Sequence, residues 1–173
     1  KGKLSKRDGD KLGFPVFPLE YTNDVTGDIS SGYREDGYFS DAFINMLAFL
    51  GWNPGTEQEL FSLEELTNSF DLKRVSKSGA KFSPDKTKWF NQQYMQSKDN
   101  NALTDLFLPI LKEKGIDKDK NYVLKVVTSI KERAVFVKDF WELSSFFFET
   151  PTTFDAKASK KNWKETTTPL MQE

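Results

Sequence analysis

Lys3 and Lys6, three residues apart, stand with Ser5 and Arg7 in the run KGKLSKR, a short stretch of small and cationic residues. Ammonium groups on flexible stems, a hydroxyl and a guanidinium set this close together are the chemistry of a loop that holds phosphate oxygens. The other reading is a solvated basic tail, because a phosphate-gripping loop needs a pocket to close over. A second concentration of cations lies further on, where Lys73, Arg74, Lys77, Lys81, Lys86, Lys88 and Lys98 face one acid, Asp85. A third follows, with Lys125, Lys131, Arg133 and Lys138 against Glu132. From Glu20 to Asp71 the balance reverses, and Arg34 is the one cation among eleven acids. A net charge of -1 hides this segregation. A basic stripe beside an acidic segment suits a polyanion that must sit in one register, and its competitor is an ordinary solvated face.

Other chemistry is poorly supplied. The chain has neither histidine nor cysteine, which removes the commonest general base, thiolate nucleophiles and thiolate metal sites. No metal site is expected. No glycine-rich phosphate loop follows a strand pattern, and the carboxylates show no spacing that separates a catalytic pair from solvated ones. Glu64 and Glu65 read as helix-start residues that favour the positive end of a helix dipole.

The elements that must carry these side chains are mainly helical. At 173 residues with 37% hydrophobic content and 16 phenylalanines, the chain can fill a Phe-rich core as one domain or two small ones. No apolar run is long enough for a membrane span, and the polar stretch 1–11 is unlike a signal peptide, so a cytoplasmic location is expected. Phe14 to Ile29, with Pro15, Pro18 and Gly27, reads as loop and short extended segments. Ser40 is expected to cap a helix through Phe49 that is apolar nearly all round and stops at Gly51. In FSLEEL, Ser62 and Glu65 form a capping box and Phe61 and Leu66 a hydrophobic staple. Ser83 and Pro84 open a third helix that carries Trp89, Phe90 and Tyr94 on one side, Trp89 and Phe90 as core, flanked by Lys86 and Lys88 with their ammonium groups in water. After a polar break at 97–101, an expected domain boundary, a helix through Leu103 to Leu111 must bend or restart near Pro109 and stop at Gly115. Helical spacing recurs at Tyr122 to Ile130 and again at Phe140 to Phe148, and a short helix is expected around Lys157 to Lys164.

The order of three segments carries a resemblance. KLSKR at 3–7, GYREDGYFSDAFINMLAFLGW at 32–52 and QELFSLEELTNSFDLKRVSKSGAKFSPDKTKWFN at 58–91 together resemble bacterial glutamyl-tRNA synthetase. The likeness runs from the ATP-binding lysine loop of these enzymes into their helical anticodon-binding domain and is clearest up to Tyr94. It implies a mainly α fold: a remnant of the catalytic lysine loop at 1–12, a helical stem-contact domain at 13–98 with a few short extended segments near its start, and an incomplete anticodon-binding domain at 99–173.

The resemblance also implies roles. Lys3, Ser5, Lys6 and Arg7 match the loop that binds ATP, and Lys6 takes the position that stabilises charge on the ATP phosphates as pyrophosphate leaves. Arg74, Lys77, Lys86 and Lys88 become candidates for contacts to tRNA phosphates, which position RNA without reading its sequence. Arg133, in KERAVF, falls near the arginine that inspects an anticodon base. The implied partner is a glutamate-accepting tRNA. The whole ligase would also take ATP with Mg2+ and L-glutamate, none of which this chain alone is expected to hold tightly. The family's other ATP motif contains histidine, so this chain, beginning at Lys1 and reading as part of a longer polypeptide, is expected to catalyse neither activation nor transfer.

Residues 10–31 are longer than the link expected between lysine loop and helix. Two other readings remain at this level. One is a helical protein-interaction module that uses its apolar faces and the acidic 20–71 segment. The other is the related glutaminyl-tRNA synthetase, less suited because that enzyme reads anticodons with β-barrels and the second half here is helical.

Overall fold

The computed structural model describes residues 13–164 together with Gly9 and Thr167. The phosphate-loop candidates Lys3, Ser5, Lys6 and Arg7 lie outside the described residues. Two compact units divide the chain, Lys1–Leu143 and Ser144–Glu173.

The first unit begins with a minimal hairpin in which β1 (Tyr21–Thr22) pairs antiparallel with β2 (Ile29–Ser30). Asn23 shapes its turn by accepting the Val25 N–H at 2.9 Å on its side-chain oxygen, a local bond that competes with further strand pairing. Helices follow: α1 (Ser40–Phe49), α2 (Leu63–Ser69), α3 (Pro84–Ser97), α4 (Asn100–Glu113), α5 (Lys120–Ile130) and α6 (Asp139–Ser144), with 3₁₀ turns at Leu72–Arg74 and Lys131–Arg133.

Helix starts are chemically specified. At α2 the Ser62 hydroxyl accepts the Glu65 N–H while the Glu65 carboxylate accepts the Ser62 N–H at 2.7 Å, and Phe61 and Leu66 are buried together as the staple requires. The bond from the Ser62 N–H is the main cause that holds the Glu65 carboxyl below its usual range. Ser83 accepts the Lys86 N–H with Pro84 in the first turn of α3. Asp99 starts α4 by accepting the N–H groups of Ala102 and Asn101, and chiefly for the first of these its carboxyl is also held low. At the end of α4, Gly115 takes φ +75° and two crossing bonds close the helix, Gly115 N–H to Lys112 carbonyl and Ile116 N–H to Leu111 carbonyl.

Four expectations need correction. Ser40 does not cap α1: the residue at the cap is Phe39, in extended backbone, and no side chain bonds there. Nor is α1 buried all round. It packs one face, Ala42, Asn45 and Met46, against α2 and α3, and leaves Ile44 and Leu47 exposed. Pro109 neither bends nor restarts α4, which runs unbroken from 100 to 113. Proline there costs the one bond to the Asp105 carbonyl, while Leu103, Phe107 and Leu111 stay fully buried in the contact with α5, so packing outweighs the loss. Finally, the run 140–148 is two pieces, because Ser144 leaves helical backbone at φ -138° before a 3₁₀ turn at Ser145–Phe147.

Two aromatic clusters hold the first half of this unit. Tyr33, Met46 and Phe90 centre one, Trp52, Phe61 and Leu66 the other, and Phe49 joins them with ring centroids 5.8 Å from Phe90 and 5.9 Å from Phe61. Burial also pushes the phenols of Tyr33 and Tyr38 up to about 12. In the second half α4 packs on α5 through Val123, Val126, Val127 and Ile130, and Phe107 meets Phe140 edge to face at 5.5 Å.

Fully buried asparagines tie the elements together. Asn45 on α1 accepts the Phe61 N–H at 2.9 Å, and the Tyr94 hydroxyl stands 2.8 Å from the same oxygen and 2.5 Å from the Phe61 carbonyl. Asn91 on α3 accepts the Phe39 N–H at 2.9 Å and donates to the Val135 carbonyl at 2.6 Å.

In the second unit, Phe146 and Phe147 lie in the 3₁₀ turn with rings 4.4 Å apart. Helix α7 (Ala156–Asn162) follows, started by Asp155, whose carboxylate accepts the Ala158 N–H at 2.6 Å. It carries Lys157, Lys160 and Lys161.

Candidate nucleic-acid interface

The basic run from Lys73 to Lys98 spans an exposed stretch and α3. Arg74 ends the 3₁₀ turn started by Asp71 and is held in place by its neighbours: Trp52 and Val75 form an antiparallel bridge, and the Ser76 N–H donates to the Gly51 carbonyl at 2.7 Å. Its guanidinium lies across Gly55, where a Cβ would stand 1.4 Å from Nη1. Lys77 follows on the same exposed stretch.

Lys86 behaves differently from the expectation of an ammonium left in water. Its Nζ sits 2.6 Å from a Glu59 oxygen and 3.6 Å from the centroid of the Trp89 ring, so an anion and a π-face already satisfy it. Arg74 and Lys86 therefore flank one loop, touching it at Gly55 and Glu59. Phe90 is core as expected, 1% exposed, and Trp89 is half-buried beneath Lys86.

Lys88 is exposed, and no ion pair among the described residues involves it. One and two helical repeats further along α3 come Gln92 and Gln96, so the three residues share a face about 12 Å long at 1.5 Å per residue. That face meets the turn carrying Arg133. Gln92 and Gln96 donate to the Glu132 carbonyl at 3.4 and 3.1 Å, and Lys131 Nζ donates to the Lys98 carbonyl at 3.1 Å. Ala134 is fully buried, Asn91 grips the Val135 carbonyl, and the Asp139 carboxylate accepts the N–H groups of Val135 and Phe136 at 3.0 and 2.8 Å. Residues 131–136 thus form an anchored turn from which the exposed Arg133 projects.

The structure therefore relates Lys88 and Arg133 through one helix face, sets Arg74 and Lys86 about a neighbouring loop, and leaves Lys77 on an exposed segment. An exposed guanidinium on an anchored turn and an ammonium along the adjacent helix can meet a polyanion, with the guanidinium also able to make paired bonds to a base edge. No group of three or more potential metal ligands occurs among the described residues. No helix among them is long and apolar enough to cross a membrane.

Reading the sequence missed Glu59, Asn91, Gln92 and Gln96. The glutamines at i and i+4 on a polar helix face were a visible pattern. Nothing local marked Glu59 as the partner of a residue 27 positions away.

Comparison with known proteins fits this geometry. Residues 24–89 match the family model for class I tRNA synthetases (E and Q), catalytic domain, and residues 102–173 match the anticodon binding domain. The first match takes in α1, α2 and the first turns of α3, and together the two define the chain as a class I aminoacyl-tRNA synthetase sequence of the glutamate and glutamine type. The chain is 62% identical over its whole length to a glutamate–tRNA ligase of Christiangramia forsetii, and 58% identical over 99% of its length to one of Flavobacterium psychrophilum. A crystal structure of a glutamate tRNA ligase from Elizabethkingia meningosepticum in complex with its amino acid matches 99% of the chain with a TM-score of 0.92 and 52% identity. The chain belongs to the glutamate–tRNA ligase family. It spans about a third, 34%, of the length of each of these relatives.

Proposed function

We propose that the chain is the tRNA-binding portion of a glutamate–tRNA ligase, with a stem-contact part at 13–98, an anticodon-binding part at 99–173 and the lysine loop at 1–12. The observation that carries this reading is the anchored turn bearing Arg133 beside the Lys88 face of α3, in a chain whose residues 102–173 match an anticodon binding domain. Arg74, Lys77, Lys86 and Lys88 take phosphate contacts along the RNA backbone, and Arg133 inspects an anticodon base.

The whole ligase, in the cytoplasm, would activate L-glutamate with ATP and Mg2+ and transfer it to the terminal adenosine of its tRNA. Lys3, Ser5, Lys6 and Arg7 would attend the ATP phosphates there, Lys6 meeting the charge that grows as pyrophosphate leaves. With no histidine in the chain, these 173 residues alone perform neither step.

The test is a binding titration of this chain against a glutamate tRNA transcript and an unrelated tRNA at low and moderate salt. Tighter binding to the glutamate tRNA that weakens with salt supports the reading. Binding that ignores salt and the identity of the RNA would favour a protein-interaction module.

A further inference from the structure

Resting on the RNA reading above, we propose that Gln92 and Gln96 are positioning residues for Arg133, which fix the direction from which its guanidinium approaches a base. Both carboxamides donate to a single oxygen, the Glu132 carbonyl. That carbonyl belongs to the planar peptide unit that ends at the Arg133 Cα, so its orientation, together with the backbone torsion held by the 3₁₀ turn, sets the direction in which the Arg133 side chain leaves the backbone. The remaining anchors of the turn act elsewhere: Lys131 on the Lys98 carbonyl, Asn91 on the Val135 carbonyl, Asp139 on the N–H groups of Val135 and Phe136, and the methyl of Ala134 in the core. They keep the turn on α3. The two glutamines add control of one plane within it.

A purely stabilising role explains this arrangement poorly. Both glutamines are only half-buried, and ordering two such long side chains costs conformational entropy comparable to what a solvent-accessible hydrogen bond returns. A carbonyl needing only a partner could take water. Two donors converging on it from successive turns of a helix also restrict its direction, and bidentate reading of a base depends on direction.

The test compares the unaltered chain, Gln92→Leu/Gln96→Leu, Arg133→Ala and the triple variant. Each is titrated with the glutamate tRNA transcript and with the same transcript carrying one altered anticodon base, across a salt series. The Gln92→Leu/Gln96→Leu chain is expected to lose about five-fold of the discrimination between transcripts, a part of what one paired base contact provides. Its salt slope and melting temperature should match the unaltered chain, readouts that a general loosening would move. The triple variant should discriminate no worse than Arg133→Ala. Full discrimination in Gln92→Leu/Gln96→Leu, or losses additive with Arg133→Ala, overturns the positioning role while leaving the RNA reading intact. Unchanged discrimination in Arg133→Ala removes base inspection by that residue and the positioning role with it, and absence of tRNA binding by the unaltered chain overturns both. Should the double leucine variant misfold, Gln96→Met, which removes the shorter bond and keeps the side-chain length, carries the same comparison.

Discussion

Lys86 is the residue at which sequence and structure part most instructively. A lysine two positions from Lys88 and within a basic run looks like an equivalent phosphate ligand, yet Glu59 and Trp89 already hold its ammonium. An RNA phosphate at this position would have to displace Glu59, which occupies it as an internal anion. Substituting Glu59→Gln should therefore free Lys86 and raise tRNA affinity at low salt by about two- to five-fold, the scale of one exposed ion pair. Unchanged affinity in a filter-binding assay would show that Lys86 makes no phosphate contact. Single residues were legible in the sequence where their role is local: Ser62 and Glu65 in the capping box, Ser83 with Pro84 at the start of α3, Gly115 at the end of α4. Where the partner is distant in the chain, as Glu59 is from Lys86 or Glu132 from Gln92 and Gln96, residue type alone gave no indication.

At the scale of elements, helix starts and buried amides do different work. The capping box of α2 is a local, charge-dependent device. Glu65 has a depressed folded pKa, so its contribution is present above the usual carboxylate value of 4.5 and is lost as pH falls through the lower folded value. In urea unfolding, the stability difference between the unaltered chain and Glu65→Gln should shrink toward zero as the pH is lowered below 4.5. A difference that persists in acid would assign the effect to packing instead. Asn91 is a long-range device. Replacing it with leucine keeps the branched side-chain shape, slightly enlarged, but strands the Phe39 N–H and the Val135 carbonyl, at a cost of about 2 kcal/mol for two part-buried groups left unpaired. A urea midpoint unmoved by Asn91→Leu would refute this accounting. The periodicity of apolar residues located the helices well. It could not say which face of α1 would be covered, or that packing would carry α4 straight through Pro109, because both depend on partners that periodicity does not name.

For the whole molecule, the segregation of charge is the feature that composition conceals and order reveals. In a chain of net charge -1, cations gathered into separate runs favour a polyanion lying along those runs, with the acidic 20–71 segment opposing other registers. If Arg74, Lys77, Lys86 and Lys88 each neutralise a phosphate of a double-helical stem, the slope of log affinity against log salt should be about -3.6, and removing Lys88 should reduce it by slightly less than one. A slope near zero would rule out the backbone contacts. The buried tie made by Asn91 also bears on motion. The Phe39 N–H lies just outside a helix, where amides ordinarily trade hydrogen for deuterium readily, but its acceptor is a side chain locked inside α3. Its exchange requires α1 and α3 to separate, so in a deuterium-labelling experiment Phe39 should be protected as strongly as the core amides of α3 and exchange together with them. One peptide hydrogen at position 39 would then report how often these two helices come apart, with no RNA present.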